Sequence, residues 1–202
     1  MSAITNPLIG QPGARIPDWI LPYRGKVAMA CLIVAESAIF TIFVVAYLYY
    51  LGKSAAGPAP AQVLETPIFY TVCLLSSSFT IHRAAKLLER GRRDRFLVWW
   101  LLTIVLGGLF LFGTGREWHR LIYEHELTIS TNLFGTTYYS LVGLHATHLV
   151  AGLGMLVIVL RFAATGRVAQ EHSARIEVIS MYWHFVDAVW VVVFIVVYVI
   201  GR

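Results

Sequence analysis

Charge is what this sequence has least of. Only 13% of its 202 residues are Asp, Glu, Lys or Arg, about half the roughly 25% usual for a soluble domain. A hydrophobic content of 58% and a mean hydropathy of +0.70 leave too little polar surface to cover a water-soluble globule. Cysteine is nearly missing as well. Cys31 and Cys73 each sit inside an apolar run, which excludes a disulfide scaffold and says nothing of a redox compartment. Proline (7) and glycine (16) are at ordinary levels, which excludes collagen-like repeats and low-complexity disorder. No secretory leader is expected, because the first apolar run is too long and lacks a small-residue cleavage site. What remains is an integral membrane protein.

The net charge of +5 and a pI near 9.4 do not make it a nucleic-acid binder. Its basic residues lie between apolar runs instead of along an amphipathic face with interleaved aromatics. Their role is orientation. Residues 1–25 hold four of the seven prolines and read as an arm on the membrane surface, with Trp19 and Tyr23 as interfacial anchors. A single transmembrane domain follows over 26–202. Its five apolar runs, at about 27–51, 67–88, 96–113, 133–160 and 178–200, each approach the ~20 residues that a bilayer requires.

The runs are too evenly apolar for barrel strands, and helices satisfy their own backbone groups in lipid. The expected fold is therefore all-α, an integral membrane bundle of five helices. With the N-terminus inside, twelve Lys and Arg fall on the inner segments and four (Lys53, Arg116, Arg120, Arg202) on the outer ones. That split places the N-terminus in the cytoplasm and the C-terminus outside.

Ionisable groups at membrane depth are costly and each calls for an account. Glu36, His82, His145, His148, His184 and Asp187 all fall near or just inside the midplane, as a polar layer. Glu36 has two open readings: a proton-exchanging or lipid-contacting site, or a carboxyl hydrogen-bonded to a neighbouring helix. His184 and Asp187, and likewise His145 and His148, are spaced i,i+3 and share a face. Interhelical hydrogen bonding is favoured over metal or haem ligation, because small neighbours such as Gly143, Ala146 and Gly152 let helices approach closely. No Cys or second His-rich motif completes a zinc set. Two stacked haems would need histidines several turns apart on each of two helices.

Arg161 is either a lipid-phosphate ligand or a snorkelling side chain. Glu117, His119, Glu124, His125 and Glu126 read as solvated charge in an outer loop ahead of a cation site. His172, Glu171 and Glu177 are the inner-loop candidates for collecting protons.

Several stretches resemble one family. MYWHFVDAVWVVVF and FGTTYYSLVGLHATHLVAGLGMLVIVLR are similar to the signature segments of subunit III of haem-copper oxidases. AESAIF around Glu36 and LETPIFYTVCLLSSSFTIHRA extend the likeness, in order, from about Tyr23 to Arg202. The resemblance is to the short, five-helix bacterial form, which begins just before the Glu-bearing helix. It implies an accessory subunit of a proton-pumping terminal oxidase in a bacterial plasma (inner) membrane. This chain would hold no cofactor and no metal, with haems and copper in partner subunits. Subunits I and II and membrane lipids would be its partners in a hetero-oligomer that binds no nucleic acid.

By the same resemblance, Glu36 matches the family's carbodiimide-sensitive glutamate. Arg161 matches a lipid-headgroup arginine and Glu177 an acidic residue before the last helix, which makes both lipid-headgroup candidates. His145, His148, His184 and Asp187 match motif positions of structural role. Catalytic residues are expected to be none. A quinol oxidase subunit III and the accessory subunit of a nitric oxide reductase remain alternatives. A small proton-coupled transporter is more distant, since inverted repeats and broken helices are missing.

Overall fold

The computed structural model describes residues 23–54, 57, 58 and 60–201. The arm expected over 1–25 lies outside the described residues except for its last three, as do Trp19 and Arg202. Tyr23 is exposed and precedes the first helix. The described chain is helical: α1 Arg24–Tyr50, a one-turn α2 Pro60–Val63, α3 Ile68–Glu89, α4 Arg93–Tyr123, α5 Leu133–Ala164 and α6 Ser173–Phe194. A π-helical segment, Ile195–Ile200, continues α6.

Each expected run is a helix, but the bounds move. The third run, expected over 96–113, continues to Tyr123, ten residues further. Glu117, His119 and Arg120 therefore stand on the last turns of α4 and not in a loop. Backbone hydrogen bonding in a regular helix outweighs the polar character of GREWHRLIY. Among the described residues, four helices are long and apolar enough to cross a membrane: α1, α4, α5, and α6 with its flanking turns. The fifth, α3, has 22 residues but is more polar, with three consecutive serines, Thr71, Thr80, His82, Arg83 and Lys86.

The two Arg-rich turns close in the same way. After α3, Gly91 at φ 69° lets its own N–H reach Leu88 O at 2.9 Å while Arg92 N–H reaches Leu87 O at 2.9 Å. After α5, Gly166 at φ 85° repeats the pattern onto Ala163 and Phe162, at 3.2 and 3.0 Å. This left-handed cap satisfies helix-end carbonyls and favours glycine. The turns also brace each other, for Arg93 donates to Ala163 O and Gln170 Nε2 to Glu89 O at 2.6 Å.

α3, α4, α5 and α6 form a ring in which α3 meets α4 and α6, and α5 meets α4 and α6. α1 lies outside this ring, in the groove between α5 and α6. It buries only Phe40 and Tyr47. Three indoles that fill the ring have their N–H groups matched across helices. Trp100 Nε1 donates to Leu156 O (2.9 Å), Trp183 Nε1 to Ser77 Oγ (2.8 Å) and Trp190 Nε1 to Thr71 Oγ1 (3.2 Å). Thr80 and Thr103 share a hydroxyl bond of 2.7 Å. Trp183 is fully buried and is seated by a missing side chain: a Cβ on Gly107 would stand 2.7 Å from its ring.

Candidate functional site

The membrane-depth residues separate into three places. Glu36, near the middle of α1, meets His148 of α5, with Oε2 3.1 Å from Nε2. The other ring nitrogen, His148 Nδ1, lies 2.9 Å from Leu144 O, one turn back on the same helix. A carbonyl oxygen can only accept, so Nδ1 carries a hydrogen. That leaves one proton between Nε2 and Oε2. The contact is either a carboxylic acid donating to a neutral imidazole or an imidazolium donating to a carboxylate, and both forms keep the same heavy-atom geometry. Phe40 covers the imidazole, its ring centroid 5.0 Å away, and Tyr182 OH donates to His148 O at 3.1 Å. The Glu36 side chain is 23% exposed, at the open edge of the pair.

The second place is the seam between α3 and α6. Ser78 Oγ donates to Asp187 Oδ2 and stands 3.1 Å from His184 Nδ1. A hydroxyl has one hydrogen. With that hydrogen on the carboxylate, Nδ1–H of His184 donates to the serine oxygen and Nε2 is left as an acceptor. His184 and Asp187, one turn apart, are thus bridged through a third residue that their own spacing does not disclose. His82 approaches from α3 with its ring centroid 6.4 Å from that of His184, and its side chain is exposed.

His145 is alone. It is 1% exposed, stacked 5.0 Å from Trp190 and edge-on to Phe110 at 5.9 Å, and neither ring nitrogen has a hydrogen-bond partner among the described residues. The expected polar layer is therefore two interhelical ties, α1 to α5 and α3 to α6, with a third imidazole packed as an aromatic. Among the described residues no three His, Cys, Asp or Glu side chains converge as a metal-holding group.

The remaining candidates lie at the two ends. At the basic end, Glu177 pairs with Lys26 at 2.6 Å, joining α6 to α1. Arg161 is exposed and lines an open cleft of about 420 Å³ with Ile158, Phe162, Thr165 and Arg167. His172 Nδ1 accepts from Ala169 N–H at 3.2 Å and is 3.7 Å from Glu171. At the opposite end, Glu117 accepts from Tyr198 OH at 3.1 Å, and Tyr198 stands 3.5 Å from Tyr138 OH. Glu117 thus faces a tyrosine pair brought to it by the π-helical turn, which sequence patterning does not announce. Arg120 reaches Glu65 at 2.5 Å and Val63 O at 3.0 Å.

Comparison with known proteins bears on this geometry. Residues 25–202 match the family described as Cytochrome c oxidase subunit III. The cytochrome c oxidase subunit 3 of Alkalihalophilus pseudofirmus is 32% identical over 169 residues, covering 82% of each chain. That of Synechocystis is 35% identical over 172 residues, 83% of this chain and 72% of the relative. The cytochrome bo(3) ubiquinol oxidase subunit 3 of Pseudomonas aeruginosa is 32% identical over 172 residues, 84% and 81%.

Proposed function

This chain belongs to the cytochrome c oxidase subunit III family, as subunit III of a haem-copper oxidase, and we propose how its polar pairs serve that complex. The chain works as an accessory, five-span scaffold with its N-terminus cytoplasmic and its C-terminus outside. It carries no electron-transfer step. Haems and copper belong to partner subunits, among them the oxygen-reducing subunit I and subunit II. The basic inner turns stand near the surface where protons enter, and structural phospholipids bind at Arg161. Glu177 is committed to Lys26 and contributes to helix docking. Residues 26–202 act as one transmembrane domain.

The observation that carries this reading is the 3.1 Å contact between Glu36 Oε2 and His148 Nε2, with His148 Nδ1 turned to Leu144 O. An exchangeable proton at the edge of an oily bundle, next to a hydrogen-bonded helix contact, supports a role in proton supply to the neighbouring catalytic subunit. It also supports a mechanical role, since it fastens the peripheral α1. Two substitutions separate these roles. Glu36→Gln keeps a donor to Nε2 but exchanges no proton. Glu36→Ala removes the bond. The expected outcome in the purified oxidase is that both shorten turnover lifetime or lower proton uptake, while only Ala loosens lipid and α1. Unchanged lipid content, proton pumping and turnover lifetime in Glu36→Ala would eliminate the proposal.

The electron donor has two readings. Relatives named for ubiquinol or quinol oxidase are as similar, at 32% and 29%, as several named for cytochrome c. The cytochrome c reading is preferred on the family match. Subunits copurified with the chain test it: a dicopper-bearing partner selects cytochrome c.

A further inference from the structure

The exposed side of α3 is a stripe at helical spacing: Phe69, Val72, Leu75, Phe79 and then His82. Four of these five suit lipid. The fifth does not. His82 lies seven residues from the Glu89 end of α3, about 10 Å at helical rise, and one helical turn from Ser78. Acyl chains offer no hydrogen bond, and polar side chains inside a bilayer face protein or water. Next to His82, the assignment of hydrogens on Ser78 leaves His184 Nε2 as an acceptor, half-buried at the same surface. Asp187 Oδ1 is buried without a partner among the described residues. Three groups with unused hydrogen-bonding capacity thus gather on one seam, whereas at the α1–α5 edge Glu36 and His148 satisfy one another.

We propose that the α3–α6 seam around His82 and His184 is a docking face for a transmembrane helix of a neighbouring oxidase subunit. That helix presents a neutral hydroxyl or carboxamide side chain to the two imidazoles. Such a group can donate to His184 Nε2 and accept from His82, which a carboxylate or an ammonium cannot do together. The apolar remainder of the stripe supplies the packing surface. This inference rests on membership of a multisubunit oxidase and adds the face by which the chain joins it.

The test uses the intact complex purified from membranes. With His82→benzoylphenylalanine, irradiation is expected to join this chain to another membrane subunit. His82→Leu is expected to dissociate from the complex roughly three- to twentyfold faster, the range that follows from measured interhelical hydrogen bonds in membranes. His82→Gln, which keeps a donor and an acceptor, stays near the parent rate. Adducts to lipid alone, or no adduct in a complex that still copurifies, would overturn the docking face. So would equal dissociation of the Leu and Gln variants. A chain that copurifies with no other subunit would instead overturn the subunit reading beneath it.

Discussion

Ser78→Ala isolates the energetic logic of the bundle. The hydroxyl sits between Asp187 Oδ2 and His184 Nδ1, so its removal deletes two hydrogen bonds between α3 and α6. An interhelical hydrogen bond in a membrane contributes about 0.6 kcal/mol on average and up to about 1.7. The deletion also leaves both Asp187 oxygens unpartnered, because Oδ1 already has none among the described residues. A buried acceptor stripped of its partner costs about 1–3 kcal/mol. Taken together, with both bonds at their average, the expected loss is about 2–4 kcal/mol. Ser76, two residues earlier and exposed, supplies the comparison: Ser76→Ala is expected to cost under about 0.5 kcal/mol. Thermal unfolding of the purified complex, followed by loss of this subunit, measures the difference. If Ser78→Ala and Ser76→Ala release the chain at the same temperature, the serine bridge does not hold the seam and the argument fails.

Two further outcomes follow from packing. Gly107→Ala places a methyl 2.7 Å from the buried Trp183 ring, and overpacking of this kind is expected to cost about 1–3 kcal/mol in the same unfolding assay. His145→Phe should cost under about 1 kcal/mol or raise stability, because it replaces two unpartnered ring nitrogens in an aromatic slot with apolar atoms. A loss as large as that of Ser78→Ala would show that His145 holds a partner after all.

The helices were legible because a bilayer enforces a simple rule: about 20 apolar residues make a span, and each of the five runs became a helix. Their ends were less so. Nothing in GREWHRLIY marks where α4 stops, since a helix emerging from lipid can continue through polar sequence on its own hydrogen bonds, and Glu117 was read as loop charge for that reason. Rise per residue gives a similar expected depth for Glu36, His82, His148, His184 and Asp187. It does not give their pairing. Pairing depends on which helices are neighbours, and α1 touching α5 and α6 but standing apart from the α3–α4 hairpin is a tertiary fact. Ser78 escaped notice because a serine in LLSSSF looks like any other small residue; only its position opposite the His-Phe-Val-Asp turn makes it a bridge. Tyr198 meets Glu117 from within the π-helical segment, and such a segment leaves no trace in hydropathy.

The division of labour between the ring and α1 follows from the solvent. In lipid, apolar burial does not favour protein over hydrocarbon, so helices associate through packing and hydrogen bonds. The four-helix ring has both, with three indole hydrogen bonds and a threonine pair crossing its interior. α1 buries less: Phe40 and Tyr47 are buried, while Met29, Ile33, Phe43 and Val44 pack half-buried against the core. Two polar contacts add to that packing, Glu36–His148 near the middle of α1 and Lys26–Glu177 at the basic end. The second is more than a third exposed on each side, and an ion pair that open to solvent contributes about 0–1 kcal/mol. The Glu36–His148 pair, less exposed, is the stronger of the two polar fastenings. A proton that decides whether Glu36 and His148 are neutral or charged sits in the same bond that holds α1 to the bundle, so chemistry and mechanics cannot vary independently there. This coupling is the reason that Glu36→Gln, which keeps the fastening and removes the exchange, is the informative substitution.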